Sequence, residues 1–192
     1  MTHNARTFRV SEVHKLEDPE RLKWLPVDDV VASLDLRPEF TVADIGAGTG
    51  YFAIPIARTV RRVYAVDFQR EMLDMLRAKL DARSNIELIE GEARDTKLPA
   101  ECCNVVLVAN VWHELEDRDE VLAEMRRIMK PRGTLAILDW RHDVERPPGP
   151  SIEHRIPAVA LAGEMRRDGW TVMETRNIGR FSYLVTAQAN RE

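Results

Sequence analysis

Three glycines, Gly46, Gly48 and Gly50, stand within five residues of a chain that has only nine. They sit in the run Asp44-Ile45-Gly46-Ala47-Gly48-Thr49-Gly50. A glycine-rich turn lets backbone approach a ligand closely, because no Cβ intervenes. A second acid, Asp67, follows seventeen residues after Gly50. A carboxylate there can accept hydrogen bonds from both hydroxyls of a ribose. Glycine turn and acid together point to a nucleoside-type cofactor. The spacing is G-x-G-x-G, whereas the dinucleotide fingerprint is G-x-G-x-x-G with a helix N-terminus facing a pyrophosphate. Asp44 would repel a pyrophosphate, but it suits a cofactor that bears an ammonium and a sulfonium.

These residues need strands to carry them. Short apolar runs recur at 41–45, 62–66, 86–89, 105–109 and 135–138. They are rich in β-branched residues and apolar on both faces, as buried parallel strands are. Helical patterns lie between them. The glycine turn opens a helix over 51–58. Met72, Leu73, Leu76 and Leu80 share a face, as do Val121, Leu122, Met125, Ile128 and Met129. Asp117 with Glu120 has capping-box spacing, and Pro131 and Gly133 stop that second helix. Strands alternating with helices imply right-handed crossovers and an open parallel sheet covered on both faces. Past position 157 the texture changes. Ala158, Leu161, Ala162 and Met165 form a helical stripe. Runs at 170–175 and 181–189 then flank Asn177-Ile178-Gly179-Arg180, a hairpin signal that makes the last strand antiparallel. The fold class expected is α/β, with a Rossmann-like, mostly parallel seven-stranded sheet.

Composition narrows the function classes. Hydrophobic residues at 44% and charged residues at 31% argue against disorder. The net charge is −4 and no basic tract stands out, so nucleic acid is not an expected partner. No apolar run spans a bilayer, and residues 1–10 lack the apolar core of a signal peptide, so the expectation is a cytoplasmic protein without membrane insertion. Cys102 and Cys103 are adjacent rather than spaced for a metal, the histidines are scattered, and no metal site is expected.

The segment Val42-Ala43-Asp44-Ile45-Gly46-Ala47-Gly48-Thr49-Gly50-Tyr51-Phe52 resembles the first motif of class I S-adenosylmethionine-dependent methyltransferases. Ala65-Val66-Asp67-Phe68 is similar to their second motif. Gly91-Glu92-Ala93 with Leu98-Pro99, and Lys130-Pro131-Arg132-Gly133 before the run 135–140, resemble later ones. The texture is nearest to the small ubiquinone/menaquinone-type branch. The resemblance implies S-adenosylmethionine as cofactor, S-adenosylhomocysteine as product and a small-molecule acceptor. By it, Gly46, Ala47, Gly48 and Gly50 shape the loop under the methionine part, and Asp44 holds the amino group. Asp67 binds the ribose, Phe68 packs on adenine, and Glu92 and the Ala93 backbone face the adenine edge. Glu92 stands where the family often has Asp. Asn110 lines the cofactor near the transferable methyl.

Methyl transfer from a sulfonium expels a neutral leaving group, so the protein orients the acceptor and excludes water, and a base serves only a protic acceptor. His113, just after the fourth strand, is a candidate base, and Trp112 beside it is an aromatic wall or core. A second candidate region is the proline-rich stretch, where Pro147, Pro148 and Pro150 precede Glu153, His154 and Arg155, an acid, a base and a cation suited to a polar substrate. His14 and Lys15 in the arm read as a solvated pair, with a cover over the cofactor as the alternative. The organisation expected is one domain over 1–192. It comprises a helical arm (1–40), a cofactor-binding core (41–140), a substrate-side loop (141–157) and a terminal helix with hairpin (158–192). Two alternatives stand: a nicotinamide-dependent oxidoreductase, and a catalytically silent cofactor-binding protein.

Overall fold

A computed structural model describes residues 10–144 and 149–190. Pro147, Pro148 and the first nine residues of the arm lie outside the described residues. The chain runs through a 3-10 turn (Val10–Lys15), α1 (Arg21–Trp24), α2 (Val27–Ala32), β1 (Thr41–Ile45), α3 (Ala53–Ala57), β2 (Arg62–Asp67), α4 (Arg70–Arg77) and β3 (Ile86–Glu90). It continues through β4 (Cys103–Ala109), α5 (Arg118–Ile128), β5 (Met129–Trp140), α6 (Ala158–Arg167), β6 (Trp170–Ile178) and β7 (Ser182–Ala189). One seven-stranded sheet results, in the order β3-β2-β1-β4-β5-β7-β6. The five strands from β3 to β5 are parallel, and β7 is antiparallel to both β5 and β6. This is the mixed, mostly parallel sheet expected from the alternation of textures.

The central strands are buried on both faces because their side chains alternate between two cores. Ala43, Ile45, Val106 and Val108 pack with Val121, Leu122 and Met125 of α5 and with Leu161 and Met165 of α6. Val42, Val105 and Leu107 pack on the other face with Leu25, Val30, Ile56 and Leu76. The chain reverses direction where the order switches between β1 and β4. Ligands of open α/β sheets bind at that switch point, outside the carboxyl ends of the strands.

Two local expectations are corrected. Asp117 makes no side-chain cap on α5; its carboxylate accepts instead from Arg94 at 2.9 Å, which turns it away from the helix N-terminus. Proline and glycine do not stop α5, which ends earlier at Ile128. Strand β5 already begins at Met129 and carries Pro131 and Gly133 in an irregularity where the register with β4 shifts between Cys103 and Val105. Arg132 takes a left-handed φ of 62° there. In the arm, described residues 10–40 form short helices, interrupted at Pro19, Pro26 and Pro38.

Candidate active site

Beyond β1 the chain turns back over β2. The Gly46 and Ala47 N–H groups both donate to the Val66 carbonyl, at 2.8 and 3.0 Å. Gly46, Gly48 and Gly50 all have left-handed backbone, with φ of +71°, +52° and +89°. At Gly46 a Cβ would also overlap Val111 Cγ2, so any other residue here must displace that side chain as well as strain the backbone. At Gly48 the nearest atom to a Cβ is Leu16 Cδ1 at 3.8 Å, so the middle of the loop faces open space. Asp67 ends β2, and its carboxylate accepts from the Gly48 N–H (2.8 Å) and the Gln69 N–H (2.9 Å). Burial raises its pKa, and the backbone donors of Gln69, Gly48 and Phe68 pull against that rise.

Asp44 is 1% exposed and does not itself line the cleft. Burial first, and the nearby Asp67 charge second, push its carboxyl up to about 7. The Ala53 N–H and the Arg21 guanidinium act in the opposite direction. Its Oδ2 has no hydrogen-bond partner.

The wall beyond β2 and β3 is more open. Phe68 is 46% exposed, and it lines the cleft with Glu92 and the half-buried Ala93. The Glu92 carboxylate pairs with Arg94 Nε at 3.0 Å, so it is already engaged.

The opposite wall rises from β4. Asn110 has a left-handed φ of 56° and donates its N–H to the Leu138 carbonyl at 2.8 Å. Both polar atoms of its amide are buried without a partner, and the residue lines the cleft. A 3-10 turn, Trp112–Glu114, follows. Trp112 is fully buried and belongs to the core rather than to the cleft wall. His113 lines the cleft and is 6% exposed. Its N–H and Nδ1 both meet the carboxylate of Asp139, at 2.9 and 2.8 Å. Sequence reasoning missed Asp139. Its signal was an acid at the end of the apolar run 135–138, in a strand that stops at the same edge of the sheet.

Together these walls enclose a cleft of about 1700 Å³ across the switch point between β1 and β4. Residues 43–137 match the family described as Methyltransferase domain. The structure superposes on an S-adenosylmethionine-dependent methyltransferase from Aquifex aeolicus with a TM-score of 0.88, at 28% identity over 94% of this chain and 98% of that one. The chain belongs to the class I S-adenosylmethionine-dependent methyltransferases. This replaces the nicotinamide alternative, and S-adenosylmethionine is the cofactor. A demethylmenaquinone methyltransferase of Geobacillus kaustophilus is 31% identical over 123 residues, 62% of this chain and 52% of that relative. A probable ribosomal RNA small subunit methyltransferase A of Methanosarcina mazei is 37% identical over 73 residues, 38% of this chain and 27% of that one. The chain thus spans about half the length of the first relative, and about a quarter of the second.

The methyltransferase does not bring all the expected residues to its cleft. His154 is exposed on a 3-10 turn (Ile152–His154), with Nδ1 3.3 Å from Ser151 Oγ, and does not line the cleft. Arg155 is 5% exposed. Its guanidinium donates to the Pro150 carbonyl (2.6 and 2.9 Å) and the Arg141 carbonyl (2.9 Å). Five N–H donors in a fixed fork suit it to bind carbonyls from both ends of one loop, which holds Pro150 at the cleft rim. The arm of the methyltransferase closes the cleft from above: His14 and Lys15 line it, and Glu17 accepts from Thr49 and from Lys79 (2.8 Å).

Proposed function

We propose that this methyltransferase moves a methyl group from S-adenosylmethionine to a small-molecule acceptor by in-line displacement. The observation that carries the reading is Asn110 after β4, which lines the cleft with both atoms of its amide buried and without partners, while Asp44 Oδ2 lies unpartnered beneath the adjacent glycine loop. Buried groups left unsatisfied cost about 1–3 kcal/mol each, so an unpaired amide at a cleft wall marks a place that a ligand completes. The amino and carboxylate groups of a methionine moiety supply the donors and acceptors missing there. Gly46, Ala47, Gly48 and Gly50 carry the backbone under that moiety. Asp67 accepts from the ribose hydroxyls, Phe68 covers one face of adenine, and Glu92 and the Ala93 N–H meet its edge.

Bound S-adenosylmethionine supplies a methyl group on a cationic sulfur that leaves as a neutral thioether. The side chains around Asn110 and His113 orient the acceptor and exclude water. His113 stands where a proton is to be removed. Arg155, with His154 beside it, supports the loop that walls the acceptor side.

Charge favours a small acceptor over RNA. Among the described residues the cleft is lined by eight carboxylates against three Lys or Arg side chains. A phosphate backbone binds through Lys and Arg, and this lining repels it.

Calorimetric titration with S-adenosylhomocysteine and with NAD tests the cofactor assignment. The former is expected to bind and the latter not; binding of NAD alone overturns the reading. A labelled-methyl screen against a metabolite extract then tests transfer. A small labelled product supports the acceptor class, label in RNA overturns it, and cofactor binding without any product favours the silent binder.

A further inference from the structure

Asp139 is 1% exposed, one residue before the end of β5. A carboxylate so deeply placed is costly unless its oxygens are fully hydrogen-bonded. Here they are. Oδ2 accepts from the His113 N–H at 2.9 Å, and Oδ1 lies 2.8 Å from both the Trp140 N–H and His113 Nδ1. Two backbone donors therefore fix the carboxylate, and the carboxylate fixes the imidazole.

An ionised carboxylate only accepts, so the ring proton belongs on Nδ1. The lone pair of the neutral imidazole is then on Nε2. Nε2 lies 3.8 Å from Glu114 Oε1, and His113 and Glu114 both line the cleft while Asp139 does not. The charged and titratable groups around the ring come from four elements. Glu114 is on the same turn, Asp139 on β5 and Arg155 on the loop, and Tyr183 of β7 is the register partner of Asp139. Burial keeps the Tyr183 phenol protonated. Burial also opposes a charge on His113, and Arg155 adds to that opposition. The hydrogen bond and charge of Asp139, with the charge of Glu114, outweigh both and hold the imidazole above its usual value.

We propose that Asp139 is a positioning residue that makes His113 Nε2 the base for methyl transfer, and that the acceptor is a protic nucleophile, one that reaches the cleft still carrying the proton it must lose. The inference rests on the methyl-transfer reading above. In the step, the acceptor's O–H or N–H bond breaks and its proton goes to Nε2. The freed electron pair forms the bond to the methyl carbon, and the carbon–sulfur pair stays on sulfur. The positive charge passes from sulfonium to imidazolium, next to the carboxylate of Asp139.

The test reads the ring nitrogens directly. The full chain, ¹⁵N-labelled at histidine and saturated with S-adenosylhomocysteine, is titrated by NMR, with His113 assigned by its loss in His113→Gln. The wild type is expected to show the Nδ1–H tautomer and a midpoint above 6.5. Asp139→Asn offers only one acceptor oxygen to three donors. It is expected to shift the ring toward the Nε2–H tautomer and lower the midpoint. An unchanged tautomer and midpoint overturn the proposal. In the labelled-methyl assay the acid limb of kcat/KM is expected to track the same midpoint. Asp139→Asn and His113→Gln should each lower kcat by about 100-fold or more, the usual reach of a general base, with S-adenosylhomocysteine affinity unchanged. Product from the wild type with undiminished variants sinks the base alone; no product from the wild type sinks the transfer reading and the base with it.

Discussion

The two halves of the cleft are built by different means. On the β1–β2 side, backbone does most of the work: the loop N–H groups of Gly46 and Ala47 bind the Val66 carbonyl, and Gly48 and Gln69 bind Asp67. On the β4–β5 side, side chains do it. His113 is oriented by Asp139, twenty-six residues away, and Pro150 is held by Arg155. Backbone geometry suits a ligand that does not change, which is what a shared cofactor is. Side chains on loops over a fixed scaffold suit a ligand that differs from one relative to the next.

The largest effect that would break this contrast is at Asp67. In Asp67→Ala the Gly48 and Gln69 N–H groups lose their acceptor, and under the proposed reading the ribose hydroxyls would lose theirs. Hydrogen bonds to a charged group contribute about 1.5–3 kcal/mol each, so the affinity for S-adenosylhomocysteine is expected to fall about 100-fold or more. Calorimetry reads it directly. Unchanged affinity would show that the loop, and not the acid, holds the cofactor.

The next test concerns the contact joining the halves, Gly46 against Val111. Alanine at either Gly46 or Gly48 meets a left-handed backbone, at about 1–2 kcal/mol. Only at Gly46 does the Cβ also strike a side chain, that of the branched Val111, and overpacking adds about 1–3 kcal/mol. Urea unfolding is expected to rank Gly46→Ala well below Gly48→Ala in stability. Equal losses would mean that Val111 yields and that the halves are not coupled. Arg155→Lys is milder. It gives up the fork of bonds to Pro150 and Arg141, for an expected loss of about 1–2 kcal/mol in unfolding with cofactor affinity retained.

The same contrast explains what the sequence disclosed. The glycine loop, Asp67 and the alternation of strands and helices were legible because local spacing and apolar periodicity determine them. Three things were not legible. The partnership of His113 with Asp139 depends on β4 and β5 ending at the same edge, with Ala109 opposite Leu138, a tertiary fact with no sequence spacing of its own. Arg155 read as a substrate cation because charge is visible in a sequence, while the two carbonyls that take up its donors are not. Asp117 read as a cap for the same reason: nothing in the chain announces that Arg94 folds against it.

The smallest expected effect is also the most specific to the cofactor side. The Asp44 carboxyl is raised from 3.8 to about 7 by burial and by Asp67. In the unfolded chain it loses its proton near the ordinary value, so between those two pH values the folded chain binds more protons. The Asp44 contribution to the stability of the cofactor-free chain therefore rises as pH falls from about 7 toward about 4. An ammonium brought near this carboxylate favours its ionised form and lowers its pKa. Binding S-adenosylhomocysteine at about pH 6.5 is then expected to release a fraction of a proton. The binding enthalpy will vary with the ionisation heat of the buffer, and Asp44→Asn will abolish that dependence while leaving the cofactor-free chain at least as stable above pH 7. A wild-type enthalpy indifferent to buffer would separate Asp44 from the cofactor's amino group and leave it as a buried acid beneath the loop.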